Sequence, residues 1–175
     1  MMSSCSVIAR SCVTILLGLL VGCGSTAHTQ ETQQTEVVPD GVDTLSASIR
    51  LGDEIALRAI SLVGKPYRYG GADLQGFDCS GMVYFIHHAL GIEVPRTAAE
   101  QKRAAMSVDK AALQPGDLLF FKTTHQARIS HVGVYVGENR FVHAPQSGRL
   151  IELRNLDDQY YGPRLVGTGR LYPNS

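Results

Sequence analysis

The 175-residue sequence predicts a single α+β domain, because a helical first half precedes a second half made of strands. Apolar residues recur at intervals of three and four up to about residue 90. From residue 118 onward, short runs rich in Val, Leu and Phe replace that pattern. The length suits one domain of ordinary size, so we expect one core.

Three helices are predicted before residue 106. The first has a broad apolar face and is stopped by Gly64 and Pro66. The second begins at Cys79 and ends at Gly91, and Thr97 caps the third. Their core segments are residues 50–63, 82–90 and 98–105.

Five strands are predicted in the second half, where β-branched and aromatic residues form short runs bounded by turn residues. A turn at residues 115–117 precedes the first of them. The predicted strands are residues 118–121, 131–136, 140–143, 150–153 and 165–172.

The N-terminus predicts a lipoprotein signal peptide over residues 1–22. A cation at Arg10 precedes the apolar run 13–21, which is too short to span a bilayer. The run ends in Leu-Val-Gly-Cys at residues 20–23, which resembles a bacterial lipobox. We therefore expect Cys23 to be lipidated and to anchor the chain to the outer membrane of a Gram-negative host, facing the periplasm. An ordinary secretory signal is the alternative.

Residues 23–48 are polar and rich in Thr, Gln and Ser. This composition predicts a flexible tether between the lipid anchor and a domain over residues 49–175, with a span of about 25 to 30 Å. Sixteen basic residues balance sixteen acidic ones, so no overall field would attract nucleic acid.

Cys79 is predicted to be the only free thiol, since Cys5 and Cys12 leave with the signal peptide and Cys23 is lipidated. It follows a Gly-Phe-Asp loop and begins a helix, a position that stabilises a thiolate and lowers the thiol pKa. Glycines on either side, Gly76 and Gly81, are expected to let a substrate backbone approach.

Six histidines are candidate bases for this thiol. His28 lies in the tether, and His87 and His88 lie about 12 Å along the helix from Cys79. His125 is expected to be solvated in a polar loop. The remaining pair, His131 and His143, lies in two predicted strands.

The twelve-residue separation of His131 and His143 favours a shared face. Side chains alternate along strands, so a hairpin loop with an odd number of residues keeps both histidines on one face. A loop at 136–138 places them directly opposite, and one at 138–140 offsets them. An even loop would separate them. On a shared face, His131 would accept the Cys79 proton and His143 would fix the tautomer of His131.

Several segments, in the same order, resemble the NlpC-type cysteine peptidases, papain-like enzymes that cut peptidoglycan stem peptides. They are residues 67–71, 76–81, 94–97, 115–120, 130–135 and 141–143, and the resemblance covers about residues 50–172. It implies a papain-like α+β fold with N-terminal helices packed on an antiparallel sheet and the nucleophile at a helix N-terminus. It also implies that Cys79 is the nucleophile, His131 the base and His143 the third triad member.

The resemblance also implies roles around the cleft. Tyr67, twelve residues before the nucleophile, is expected near the oxyanion site, with loop packing as the alternative. Asp78, Ser80 and Arg96 match cleft positions and are expected to contact charged groups of a stem peptide. Asp78 could equally cap a helix, and Arg96 could form a surface ion pair.

The expected substrate is a peptidoglycan peptide, and the expected reaction needs no cofactor. The small lipid-anchored form resembles lipoprotein murein endopeptidases that open D-alanyl–diaminopimelate cross-links, and cleavage between D-glutamate and diaminopimelate is the alternative. We expect a monomer, with a regulatory or adaptor protein as a candidate partner.

Three other activities compete with this hypothesis. A metal peptidase needs a ligand cluster that the sequence does not assemble, so no metal is expected. A catalytically silent peptidoglycan-binding lipoprotein would keep the fold without the reaction. A thiol acyltransferase or amidase acting on a lipid would use the same Cys-His arrangement.

Overall fold

The computed structural model describes residues 40–124 and 128–172. The predicted signal peptide, Cys23 and the tether up to residue 39 lie outside these residues, as does His125. None of the helices in the described part of the chain combines the length and apolarity that a membrane span requires.

The N-terminal half supplies three helices and a small two-stranded ribbon. The ribbon lies immediately before the second helix, and its two strands pair antiparallel. In chain order these elements are α1 (Asp40–Ser61), β1 (Ala72–Asp73), β2 (Gly76–Phe77), α2 (Cys79–His88) and α3 (Ala98–Ala104).

The C-terminal half forms an antiparallel sheet of six strands in the order β3-β8-β4-β5-β6-β7. Two short 3₁₀ turns, Lys110–Ala112 and Gly162–Arg164, connect parts of it. The strands are β3 (Met106–Ser107), β4 (Leu118–Phe121), β5 (His131–Gly137), β6 (Arg140–His143), β7 (Glu152–Asn155) and β8 (Leu165–Arg170).

The main core lies between this sheet and helices α1 and α2. Its helical side is formed by residues such as Ile55, Met82 and Ile86, which pack against Phe120 and Val134 of the sheet. Alternation along the strands sends the intervening side chains to the opposite face. A smaller cluster there contains Leu119, Phe121, Phe141, Leu156 and Tyr161. Both faces of the central strand β4 are therefore buried, as its continuous apolar run requires.

The α+β prediction is confirmed: helices pack against an antiparallel sheet, and α2 begins at Cys79. Strands β4 and β6 occupy the predicted residues, and Thr97 caps α3 by accepting a hydrogen bond from the Glu100 amide.

Several element boundaries differ from prediction. Helix α1 begins at Asp40 rather than at residue 50, so residues 40–48 are helical although the sequence was interpreted as tether. Their polar composition masked a helical spacing of apolar residues that starts at Val42. Strand β7 is shifted to Glu152–Asn155, and β8 stops at Arg170. The two-residue strands β1, β2 and β3 are too short to leave a periodic signal.

Candidate active site

Cys79 is the first residue of α2 and is partly exposed to solvent. The preceding residue, Asp78, has extended backbone dihedral angles and caps the helix, because its Oδ1 atom accepts a 2.6 Å hydrogen bond from the Gly81 amide. The cap fixes the start of α2 at the cysteine. The Cys79 sulfur also lies close enough to interact with the backbone amide of Val132, the residue that follows His131 in β5.

The pKa of the Cys79 thiol is raised to about 11, so the expected lowering is wrong in direction. Burial is the largest cause, and the negative charge of Asp78 is the second. The amides of Val132, Ser80 and Cys79 itself act in the opposite direction. The Asp78 carboxylate already accepts a hydrogen bond at the helix terminus, and burial together with this negative charge leaves the thiol neutral at rest.

Strands β5 and β6 form a hairpin whose loop is even, the case that was expected to separate the two histidines. Two residues with positive φ, Glu138 (52°) and Asn139 (57°), make the turn between Gly137 and Arg140. Such a turn alone would place the histidines on opposite faces. The register shifts between Tyr135 and Gly137, however, so one strand carries an extra residue. This β-bulge at Val136 restores the shared face.

His131 and His143 consequently meet edge to face, and His131 Nε2 lies 3.0 Å from His143 Nδ1. Their register is offset, since Val134 pairs with Val142. The contact occupies one nitrogen of each ring. The contact with His143 does not use the Nδ1 atom of His131, which is therefore the ring nitrogen that a general base would use.

Aromatic rings enclose the histidine pair on the sheet face away from the helices. Tyr161 packs against both rings, with centroids 5.7 Å from His131 and 4.6 Å from His143. Phe121 and Phe141 contact His131 and His143, respectively. Burial lowers the pKa of each histidine to about 3, and each is further lowered by neighbouring positive or imidazole groups. Both rings are therefore neutral at rest.

Glu152 is the residue that the sequence did not indicate. It is paired with His143 across β6 and β7, and its Oε1 atom lies 3.4 Å from His143 Nε2. Arg149 and Arg154 contact the same carboxylate at 2.8 and 2.9 Å. Its presence in a predicted strand was the only available signal, because the cross-strand partner depends on the register.

A second cluster surrounds the start of α2. Asp78 and Arg96 form a two-pronged ion pair with distances of 2.9 and 2.7 Å. Arg96 also donates to the Ser80 hydroxyl and to the Gly71 carbonyl. Asp78 thus caps the helix, and Arg96 pairs with it, which were the alternatives to substrate contact.

These residues nevertheless line the cleft that contains Cys79. The cleft has a volume of about 660 Å³, and its wall includes Tyr67, Asp78, Ser80 and Arg96. Tyr67 lines the cleft together with Cys79, and the pKa of its phenol is raised by burial and by the neighbouring acidic groups of Cys79 and Asp78. A second cavity of about 510 Å³ opens onto His131 and is lined by the charged residues around Glu152.

A family comparison assigns residues 64–170 to the NlpC/P60 family. The chain belongs to this family.

Curated relatives and solved structures agree with this assignment. The murein DD-endopeptidase MepH of Escherichia coli K12 is 37% identical over 134 residues, which are 74% of this chain and 49% of MepH. A gamma-D-glutamyl-L-lysine dipeptidyl-peptidase of Bacillus subtilis is 34% identical over 141 residues, 80% of this chain and 46% of that protein. The crystal structure of an NlpC/P60 family protein from Bacillus cereus, 34% identical, has a TM-score of 0.66 and covers 70% of this chain and 40% of the other. The chain spans about half the length of the curated relatives it matches.

In this NlpC/P60 chain, the glycine of the Asp-Cys-Ser-Gly segment serves packing rather than substrate access. A Cβ atom on Gly81 would lie 1.9 Å from the Gly71 carbonyl oxygen and 2.9 Å from Arg96 Nη2. A Cβ on Gly76 would likewise meet the side chain of Arg68 at 2.7 Å. The expectation that both glycines admit a substrate backbone is therefore wrong, because protein atoms occupy that space.

The remaining described histidines lie away from the thiol. His87 is fully buried and its Nδ1 atom bonds the Val83 carbonyl, while His88 stacks on Tyr84. Across residues 40–124 and 128–172, no group of three His, Cys, Asp or Glu side chains is arranged to hold a metal ion.

Proposed function

We propose that this chain is a cysteine endopeptidase that hydrolyses amide bonds in peptidoglycan peptides. The observation that carries the proposal is the hydrogen-bonded pair His131–His143, in which His131 lies in a strand whose next residue, Val132, interacts through its backbone amide with the Cys79 thiol. A free cysteine, a neutral imidazole and a second group that orients the imidazole are the parts that thiol-mediated acyl transfer requires. Membership of the NlpC/P60 family supports the same chemistry.

The reaction begins with proton transfer from Cys79 Sγ to His131 Nδ1 as the sulfur attacks the scissile carbonyl carbon. The thiol and imidazole are neutral at rest, so this transfer accompanies the attack rather than preceding it. Backbone N–H groups at the start of α2 and the Tyr67 phenol can donate to the oxyanion. The His131 imidazolium then protonates the leaving amine, and a thioester remains on Cys79.

Water completes the cycle. His131, neutral again, removes a proton from water as the water oxygen attacks the thioester carbon. The C–S bond breaks, the proton returns to the sulfur and the carboxylic acid product leaves. Each proton that His131 takes up is delivered to a leaving group, so neither a cofactor nor a redox step enters the mechanism.

The bond that is cut has two candidates. The match to a murein DD-endopeptidase supports the D-alanyl–diaminopimelate cross-link, whereas the gamma-D-glutamyl-L-lysine dipeptidyl-peptidase supports a bond within the stem peptide. Both substrates carry carboxylate and ammonium groups, which the Arg96–Asp78 pair in the cleft wall can contact. We favour the cross-link.

Digestion of purified sacculi, followed by mass spectrometry of the released fragments, tests the proposal. Digestion by the wild-type chain should lower the amount of cross-linked muropeptide dimers and raise the amount of monomers. Cys79→Ala should cause neither change. Equal digestion by Cys79→Ala would refute a cysteine mechanism. If the wild type bound sacculi without cleaving them, the chain would be a peptidoglycan-binding lipoprotein. Loss of activity with EDTA would identify a metal peptidase. Turnover of lipid amides alone would identify a lipid acyltransferase or amidase.

Lipidation at Cys23 and attachment to the outer membrane are part of the proposal. They are supported by the apolar run and by the Leu-Val-Gly-Cys sequence that ends it. Labelled palmitate should enter the wild-type chain in a Gram-negative host, and Cys23→Ser should abolish both the label and membrane fractionation. Gel filtration of the Cys23→Ser chain tests the expected monomer, and affinity capture from envelopes tests for an adaptor.

A further inference from the structure

A line of three polar side chains, His131, His143 and Glu152, crosses strands β5, β6 and β7 to the edge of the sheet. His131 contacts His143 through Nε2 and Nδ1 at 3.0 Å, and His143 Nε2 lies 3.4 Å from Glu152 Oε1. His143 is fully buried, and its Nε2 atom has no hydrogen-bond partner among the described residues at normal bonding distance. The Glu152 carboxylate is the acceptor that lies beside this nitrogen.

The tautomers of the two rings are linked by this geometry. His131 can accept the thiol proton at Nδ1 only if its own proton is on Nε2, where it is donated to His143. His143 must then accept at Nδ1, so its proton lies on Nε2 and points toward Glu152. The opposite arrangement puts a proton on His131 Nδ1 and blocks the base.

We propose that Glu152 is a positioning residue that selects the Nε2–H tautomer of His143 and, through it, the catalytically competent tautomer of His131. The inference deepens the proposed function and rests on it. A carboxylate offers only acceptor atoms, so it favours the His143 tautomer that points a proton toward it.

Glu152 is held in place for this role by the strand register and by two cations. It lies opposite His143 in the pairing of β6 with β7. Arg149 and Arg154 contact its two oxygens and fix the carboxylate plane. Burial and, after it, the same two arginines lower the pKa of His143, so the ring stays neutral and only the position of its proton changes.

Nitrogen-15 NMR of the histidine side chains in the full chain tests the proposal directly, because the two ring nitrogens report which one carries the proton. In the wild type, both His131 and His143 should be Nε2–H tautomers, with signals identified from His131→Gln and His143→Gln. In Glu152→Ala, a substantial fraction of both rings should become Nδ1–H. Unchanged tautomers in Glu152→Ala, or an Nδ1–H tautomer of His143 in the wild type, would overturn the proposal.

Kinetics on cross-linked muropeptides provide a second readout. Replacing the carboxylate that orients a catalytic histidine directly costs about 10⁴-fold in kcat. Glu152 acts through one more ring, so we expect about a 10- to 100-fold fall in kcat for Glu152→Ala with KM unchanged. Glu152→Gln keeps an acceptor oxygen but adds a donor, and should lie between wild type and Glu152→Ala.

Glu54→Ala is the matched control, since it also removes a carboxylate paired with an arginine, Arg58, but lies in α1. It should change neither tautomers nor kcat. If Glu152→Ala does not fold, Glu152→Gln decides, because its rings must show a mixed tautomer population. The NMR result does not depend on turnover, so failure of the proposed function and failure of this inference are distinguishable.

Discussion

Two of the aspartate–arginine pairs among the described residues differ in what surrounds them. Asp117 and Arg170 lie in the interior, with side chains 0% and 9% exposed and contacts of 2.6 and 2.9 Å. Asp78 and Arg96 lie at the cleft, 14% and 36% exposed, with contacts of similar length. The chemistry of the two pairs is the same, whereas their access to water is not.

This difference indicates that Asp117 stabilises the fold, whereas Asp78 stabilises the active-site region. Asp117 joins the turn before β4 to β8, since its carboxylate also accepts from the Gln114 amide. Asp78 joins the start of α2 to Arg96 and to the loop before β1, because it accepts a hydrogen bond from the Gly70 amide. This loop, the Gly70 loop, lies beside the nucleophile in the cleft wall. Both aspartates belong to sequence segments that resemble the family, so segment matching alone cannot distinguish these roles.

The largest effect is expected for Asp117→Ala. Removing this carboxylate takes away the two contacts of 2.6 and 2.9 Å that Asp117 makes with the buried Arg170 guanidinium, so the free energy of unfolding should fall by about 3 to 5 kcal/mol. Urea denaturation followed by circular dichroism measures it. The double variant Asp117→Leu, Arg170→Met should regain part of the loss, because no charge remains buried. If the free energy of unfolding of Asp117→Ala fell by less than about 1 kcal/mol, the structural role of Asp117 would be contradicted.

Asp78→Ala should lower the free energy of unfolding less than Asp117→Ala does, and it should lower the activity of the folded protein more. The helix cap is worth about 0.5 to 2 kcal/mol, and Arg96 can still reach water when its partner is removed. Release of the Gly70 loop should nevertheless reduce sacculus digestion strongly in protein that remains folded. Comparing unfolding free energies with digestion rates tests this. If both quantities fell in parallel, the role of Asp78 would be structural, like that of Asp117.

Arg96→Lys should have a smaller effect on stability, about 1 kcal/mol or less, because a lysine keeps the charge but loses the second prong. KM for muropeptides should rise while kcat changes little, since the substituted group lines the cleft wall. Arg58→Lys, in an exposed pair with Glu54, is the matched control. A fall in kcat alone would show that Arg96 acts on the reaction rather than on binding.

The smallest effect concerns the charge next to the thiol. Asp78 raises the Cys79 pKa, so Asp78→Asn should lower that pKa and increase the thiolate fraction at a given pH. Iodoacetamide alkylation of Cys79, followed by mass spectrometry of its peptide, should be faster in this variant and should rise about tenfold per pH unit in both proteins below the pKa. Asp73→Asn, in an exposed pair with Arg68, should match wild type. A wild-type alkylation rate that levels off near pH 7 would show an activated thiolate instead.

Local signals explain which parts of the structure were predictable. The Thr97 cap, the apolar run of β4 and the glycine after α2 each act within a few residues, and their elements lie close to prediction. The start of α1 was missed because a polar composition outweighed a weak periodicity. Glu152 and the register of β5 with β6 depend on pairings between distant residues, which no local pattern encodes. The thiol pKa was misjudged because burial of the cysteine and, after it, the negative charge of Asp78 outweigh the backbone amides at the helix terminus.

The bulge at Val136 shows how a site can depend on a residue that never touches it. The two histidines meet because the strand contains one residue more than its partner, whatever side chain that residue carries. A scan of point substitutions preserves the chain length and would therefore overlook this determinant. Removal of a single residue between Tyr135 and Gly137 would turn His143 toward the opposite face of the sheet and separate it from His131. The geometry of the site thus depends on the length of this hairpin more strongly than on its composition.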